Sequence, residues 1–164
     1  MSEQSAVEIT AKRAEQVLSD SPAFAKVEDN FYVVRQGSAY VYVRVLGWGE
    51  DKALVRLVAQ LAGGVDMTPD LAIRLLRINT RMRFGAFGYV AKGSCIILTH
   101  TLLGGETLDA DELLSAVRTV ALLADEYDDH IVEEAGGMRM QDLLDDSTTA
   151  AMLEDMKAPH SWDG

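Results

Sequence analysis

Apolar and polar positions recur with two different periods along this 164-residue chain, and the switches between periods mark its elements. Val7, Ala11, Ala14 and Leu18 fall at helical spacing, predicting an amphipathic helix over 7–19 that Ser21-Pro22 ends. Period two follows. FYVVRQGSAYVYVRV reads as two strands around a Gln36-Gly37-Ser38 turn, with Val41, Val43 and Val45 on one face and Tyr40, Tyr42 and Arg44 on the other. After a turn at 47–52, ALVRLVAQLA (53–62) reads as a third strand, although so short an apolar run also suits a buried helix. Thr68-Pro69-Asp70 then starts a helix over 70–83, with threonine as cap and proline in the first helical position. Leu71, Leu75, Ile78 and Met82 form its apolar stripe, and Arg74, Arg77 and Arg81 line another.

Residues 84–91 and 95–102 read as two more strands joined by Lys92-Gly93-Ser94. Residues 109–134 form the longest predicted helix, with Leu113, Val117, Val120, Ala124, Tyr127 and Ile131 on its buried face and Gly136-Gly137 as its stop. The order α-β-β-β-α-β-β-α predicts an α+β fold, a five-stranded antiparallel sheet with helices on one face. One domain is expected over 1–137. A tail, 138–164, follows with four of the seven methionines, and one or two short helices are expected in it, through MQDLL and TAAMLEDM.

Composition and charge narrow the functions. Hydrophobic residues make up 48% of the chain, enough for one sizeable core. No stretch approaches the ~18 apolar residues of a membrane span, so no membrane partner is expected. The polar N-terminus MSEQSAVEITAKRAEQ lacks an apolar signal core, and a single cysteine leaves no intramolecular disulfide; a cytoplasmic location is expected. The net charge of −11 argues against nucleic acid as a partner. The charge is also segregated. Residues 71–103 hold Arg74, Arg77, Arg81, Arg83 and Lys92 and no acid, whereas 104–164 hold 16 acidic and 3 basic residues. Such blocks attract each other within one fold or across a dimer.

The search for chemistry returns little. In 79–102, NTRMRFGAFGYVAKGSCIILTHTL, the glycines follow a helix and run into a strand, the reverse of a dinucleotide loop, and Lys92-Gly93-Ser94 lies between strands where no helix N-terminus can hold phosphate. Cys95 and His100 are five apart on one strand, so they lie on opposite sheet faces and cannot act as nucleophile and base without a bulge. Glu126, His130 and Glu134 share a helix face, but the further ligand helices of a di-metal bundle are missing, and a solvated acidic face is the better reading. No catalytic residue, metal or cofactor is expected. Two sets remain as candidate binding surfaces. Arg74, Arg77 and Arg81 either pair with the acidic last helix or tail, or dock an acidic partner. Tyr40, Tyr42, Phe87 and Tyr89, with Trp48 in a loop, are either exposed on a helix-free sheet face or packed under the tail.

The element order, together with INTRMRFGAF, ILTHTLLGG and DELLSAVRTVALLADEYDDHIVEEAGG, resembles the YbjN-like family, in the form found in actinobacteria, and through it the type III secretion chaperones. The likeness covers roughly residues 7–137 and rests on Asn79, Phe84-Gly85-x-Phe87, His100 with Leu102-Leu103, and Ala124-Asp125 with Asp128-Asp129 before Gly136-Gly137. The resemblance implies a small acidic α+β protein, usually a homodimer, that holds an extended or amphipathic client segment without chemistry. The expected function is therefore a chaperone-like protein- or peptide-binding module. The alternatives are an adaptor for one defined protein partner and, third, a small-molecule enzyme, which would need a deep polar pocket of convergent titratable groups.

Overall fold

Val41, Val43 and Val45, the predicted inner face of one strand, are 0%, 0% and 3% exposed and sit in the middle of the core. The structure is a computed structural model that describes residues 5–21 and 23–139. Helix α1 (Ala6–Leu18) precedes four strands, β1 (Phe24–Glu28), β2 (Phe31–Gln36), β3 (Ala39–Trp48) and β4 (Lys52–Gly63). Helix α2 (Pro69–Asn79) leads into β5 (Ala86–Val90) and β6 (Cys95–Leu103), and helix α3 (Ala110–Ala135) into β7 (Met138–Arg139). Every strand pairing is antiparallel, in the order β1-β2-β3-β4-β6-β5, with β7 beside the end of β4.

The class is the expected α+β, but among the described residues the sheet has seven strands where five were expected. The two additional strands have weak local signals. β1 (FAKVE) is an edge strand with four exposed positions of five, so it shows no alternation of burial, and β7 is two residues that pair with Ala62 and Gly63. The ambiguous run at 53–62 is strand β4. It is central, and every position from Leu57 to Gly63 is buried, which explains why its sequence is continuously apolar instead of alternating. The short helices expected within 138–164 lie outside the described residues, save that Met138 and Arg139 form β7.

The helices share one core with the Val41/Val43/Val45 side of the sheet. Ser5 and Glu8 close a capping box at the start of α1, and Asp109 accepts the Glu112 N–H at the start of α3. Ala116, Ala121 and Ala124, all buried, let α3 come close to the sheet, and the Ser38 hydroxyl at the β2–β3 turn donates to the Asp125 carboxylate on α3. Thr10 on α1 is fully buried, its hydroxyl donating to Ala6 O and accepting from the Gly105 N–H at 2.7 Å. A side chain at Gly104 would collide with Thr10, which fixes glycine there. Among the described residues the other sheet face bears no helix and carries a small cluster of strand residues, Val58, Val90, Cys95 and Ile97, with half-buried Tyr42 against it.

Helix α2 ends at Asn79, four residues before the expected Arg83. The cause is tertiary. The Asn79 side chain accepts the Phe87 N–H at 2.7 Å and donates to Phe87 O at 3.2 Å, so it completes the edge of β5 instead of continuing the helix. The chain from Thr80 to Gly85 then turns, with Gly85 at φ +81° and its N–H held by His100 Nδ1 at 3.0 Å.

Candidate functional site

The junction just described shapes a sizeable groove. Between the end of α2, the 80–85 turn and α3 lies a groove of about 830 Å³. Ile78, Met82, Phe84, Leu123 and Tyr127 give it an apolar floor, and Arg77, Arg81 and Arg83 form its rim. A second hollow of about 390 Å³ continues it between α2 and α3, sharing Arg74, Ile78 and Tyr127. The floor is held by aromatic contacts. Phe87 meets Tyr127 edge-on at 5.2 Å between centroids, and Phe84 tilts against His100 at 5.4 Å. Burial holds His100 below the usual histidine range, against a smaller upward pull from Glu112. A neutral imidazole with an unprotonated Nδ1 is what the Gly85 N–H requires.

The arginine set divides. Arg74 is ion-paired with Glu134 on α3, as the internal-pairing reading expects. Arg77, Arg81 and Arg83 are exposed and make no ion pair among the described residues. Arg81 also lies beyond the end of α2, so the expected helical stripe is two helix residues and one from the turn. Sequence reasoning missed Arg83, Phe84 and Leu123 as part of this surface, because the early helix end that gathers them depends on a side-chain bond to a distant strand.

The aromatic set is split across the sheet. Tyr40 and Tyr42 lie on the helix-free face, and the alternation along β3 puts Trp48 there too, 49% exposed with Lys52 Nζ 5.1 Å above its ring. Trp48 is the last residue of β3 and not a loop residue. Phe87 and Tyr89 pair with Leu98 and Ile96, both core residues, so they belong to the helix side; Phe87 is buried under Tyr127 and Tyr89 is 46% exposed. The helix-free face has its own charge pattern, legible from strand parity but not singled out by the sequence reading. Arg35, Arg44, Arg56 and Lys52 all fall on it and no acidic residue of β2, β3, β4 or β6 does. Arg44 lies over the Phe31 ring at 4.3 Å and Arg35 over Tyr40 at 5.4 Å. Burial, with the neighbouring Tyr40 adding to it, pushes the Tyr42 phenol up to about 12.

The expected separation of Cys95 and His100 is as read: Cys95 is buried in the helix-free cluster, and His100 points to the helix side. On α3, Glu134 pairs with Arg74 and Asp129 with Arg139, while burial raises the Asp128 carboxyl. Among the described residues no three ligands converge on a metal position. No helix among them is long and apolar enough to cross a membrane.

Comparison with known proteins supports the family resemblance read from the sequence. A search of the curated proteins found no match. A family model does match, TY-Chap1, described as T3SS (YopN, CesT) and YbjN peptide-binding chaperone 1, over residues 4–143. With all of its described residues inside that match, the chain belongs to the TY-Chap1 family of peptide-binding chaperones.

Proposed function

We propose that this chain is a non-enzymatic module that holds an amphipathic, acidic client segment in the groove between α2 and α3. The apolar side of the segment rests on Ile78, Met82, Phe84, Leu123 and Tyr127, and its carboxylates meet Arg77, Arg81 and Arg83. The observation that carries this reading is the combination of an apolar floor with a guanidinium rim that has no internal ion pair among the described residues. Internal pairing accounts for Arg74 alone. The groove's titratable neighbours are arginines and Tyr127, which recognise anions and apolar surface but supply no nucleophile–base pair, in keeping with holding and not transforming a client.

The client is read as a class of segments, with an adaptor for one defined partner as the alternative. Fluorescence competition separates the two. A labelled acidic amphipathic helix bound to the protein is displaced by unrelated peptides of the same pattern if the groove reads pattern. Displacement by a single sequence only would favour the adaptor. We also read the chain as a cytoplasmic homodimer, joined through the outer side of α2, where Ile73 and Leu76 are 56% and 65% exposed. Light scattering should give twice the chain mass for the native protein and a single chain mass for Leu76→Asp.

A further inference from the structure

The groove between α2 and α3 changes sign from one end to the other. Its first hollow takes the C-terminal half of α2 with Thr119, Leu123 and Tyr127 of α3; its second takes Leu71 and Leu75 of α2 with the last two turns of α3. The two helices therefore run antiparallel along it. At ~1.5 Å per residue, α3 follows the groove for about 22 Å, from Thr119 to Glu134. One end carries Arg77, Arg81 and Arg83, exposed and without an ion pair among the described residues. Beyond them Arg74 is neutralised by Glu134. The far end is anionic. Glu133 lines the second hollow, also exposed and without an ion pair among the described residues. The last turn of α3 holds no basic residue to offset the negative end of the helix dipole. Exposed Asp66 joins this end, its backbone N–H donating to Ala135 O at 3.0 Å. Asp129 contributes less, being paired with Arg139 at 2.7 Å.

We propose that the client of this groove is bipolar: an amphipathic helix of another protein, about 15 residues long, acidic at one end and basic at the other. The inference rests on the groove reading and adds to it the order of the client's charges. The acidic end lies at Arg77, Arg81 and Arg83, and the basic end at Glu133. Between them the apolar stripe crosses Ile78 and Tyr127, which both hollows share. The Arg74–Glu134 pair asks for no charge opposite it, so the central turn of the client is neutral. A segment acidic throughout would satisfy the arginine rim but set carboxylates beside Glu133 and Asp66, and like charges brought together at an interface oppose binding. A segment basic throughout would fail at the rim. The groove thus selects one charge order as well as one apolar pattern, and Glu133 is the residue that sets the second half of that order.

Two synthetic helices with the same apolar stripe test this on the full chain. One has lysines in its first turn and glutamates in its last; the other has glutamates at both ends. Both are acetylated and amidated, so that their termini carry no charge. The native chain should bind the bipolar peptide at least ~3-fold more tightly than the acidic one, a difference of the size expected for exposed charges. Glu133→Lys should erase or invert that preference, with melting unchanged because the side chain is exposed. A nitroxide at the lysine end should broaden amide signals of residues 131–135, and one at the glutamate end those of 80–84. Equal affinities that Glu133→Lys leaves equal overturn the charge order, as does broadening at the opposite ends. If Arg77→Glu/Arg81→Glu still weakens both peptides in that case, the groove reading stands without it. If the arginine variant weakens neither peptide, or neither binds the native chain, the groove reading falls and the charge order falls with it.

Discussion

The groove beside α2 and the helix-free sheet face both combine arginines with aromatic and apolar side chains, but they hold their charges differently. In the groove, Arg77, Arg81 and Arg83 stand exposed on a rim above the floor. On the sheet face, Arg44 and Arg35 are laid over the Phe31 and Tyr40 rings, and Arg56 is partly withdrawn from water with its Nε unpaired. A rim of exposed, solvated guanidinium groups with no internal ion pair among the described residues can adjust to carboxylates of varying position, which suits a series of clients. Guanidinium groups already packed on rings have lost that freedom and suit one fixed neighbour. The same residue type is thus left free to adjust in one place and held against its own strand neighbours in the other. Sign of charge alone would not have distinguished them.

The largest expected effect removes the difference by damaging what the two surfaces share. Leu98 is fully buried in the core between them, beside Ala59 and Phe87. Leu98→Ala should cost about 2–5 kcal/mol in chemical denaturation and weaken the groove and the sheet face together. A loss under about 1 kcal/mol would mean the core is less tightly shared than described.

Asn79→Ala sharpens the comparison. It leaves the Phe87 N–H and carbonyl without their side-chain partner, a cost of about 1–3 kcal/mol. Because Asn79 closes the α2–β5 junction, peptide affinity at the groove should fall while Cys95 reactivity on the far face stays as it was. Equal disturbance of both would show that the junction supports the whole sheet edge and not the groove in particular.

That junction also shows where the sequence was legible. The inner valines of β3, the Thr68 cap of α2 and the hairpin at 86–103 follow from local pattern, because alternation, capping residues and turn glycines act within a few positions. What local pattern could not supply was set by distant partners. Asn79 ends α2 by bonding to a strand eight residues on, β1 forms against β2 with hardly any burial of its own, and β7 exists only through Ala62 and Gly63. The candidate site was half legible for the same reason. Arg77 and Arg81 could be named from their spacing, but placing Tyr40 and Tyr42 on one face and Phe87 and Tyr89 on the other needed the β4–β6–β5 register.

The smallest predicted effect concerns pH. Burial lowers the His100 pKa in the folded protein, so the unfolded chain binds a proton there more readily. The associated stability is complete above the ordinary histidine value of about 6.5 and is lost as pH falls through the lower folded value. Melting temperature should drop slightly between pH 7 and 5, and His100→Gln, which keeps an acceptor for the Gly85 N–H, should flatten the drop. An identical pH profile in the variant would remove His100 from the account of the groove floor.

The central claim is that the exposed rim arginines select acidic amphipathic segments. Titration calorimetry of such a peptide against the native chain and the Arg77→Glu/Arg81→Glu variant, at two salt concentrations, tests it most directly. Both side chains are exposed, so circular dichroism and melting should match the native protein. The account predicts at least ~10-fold weaker binding, about 1.4 kcal/mol, and a flatter dependence on salt. Unchanged affinity with an unchanged salt dependence would contradict it.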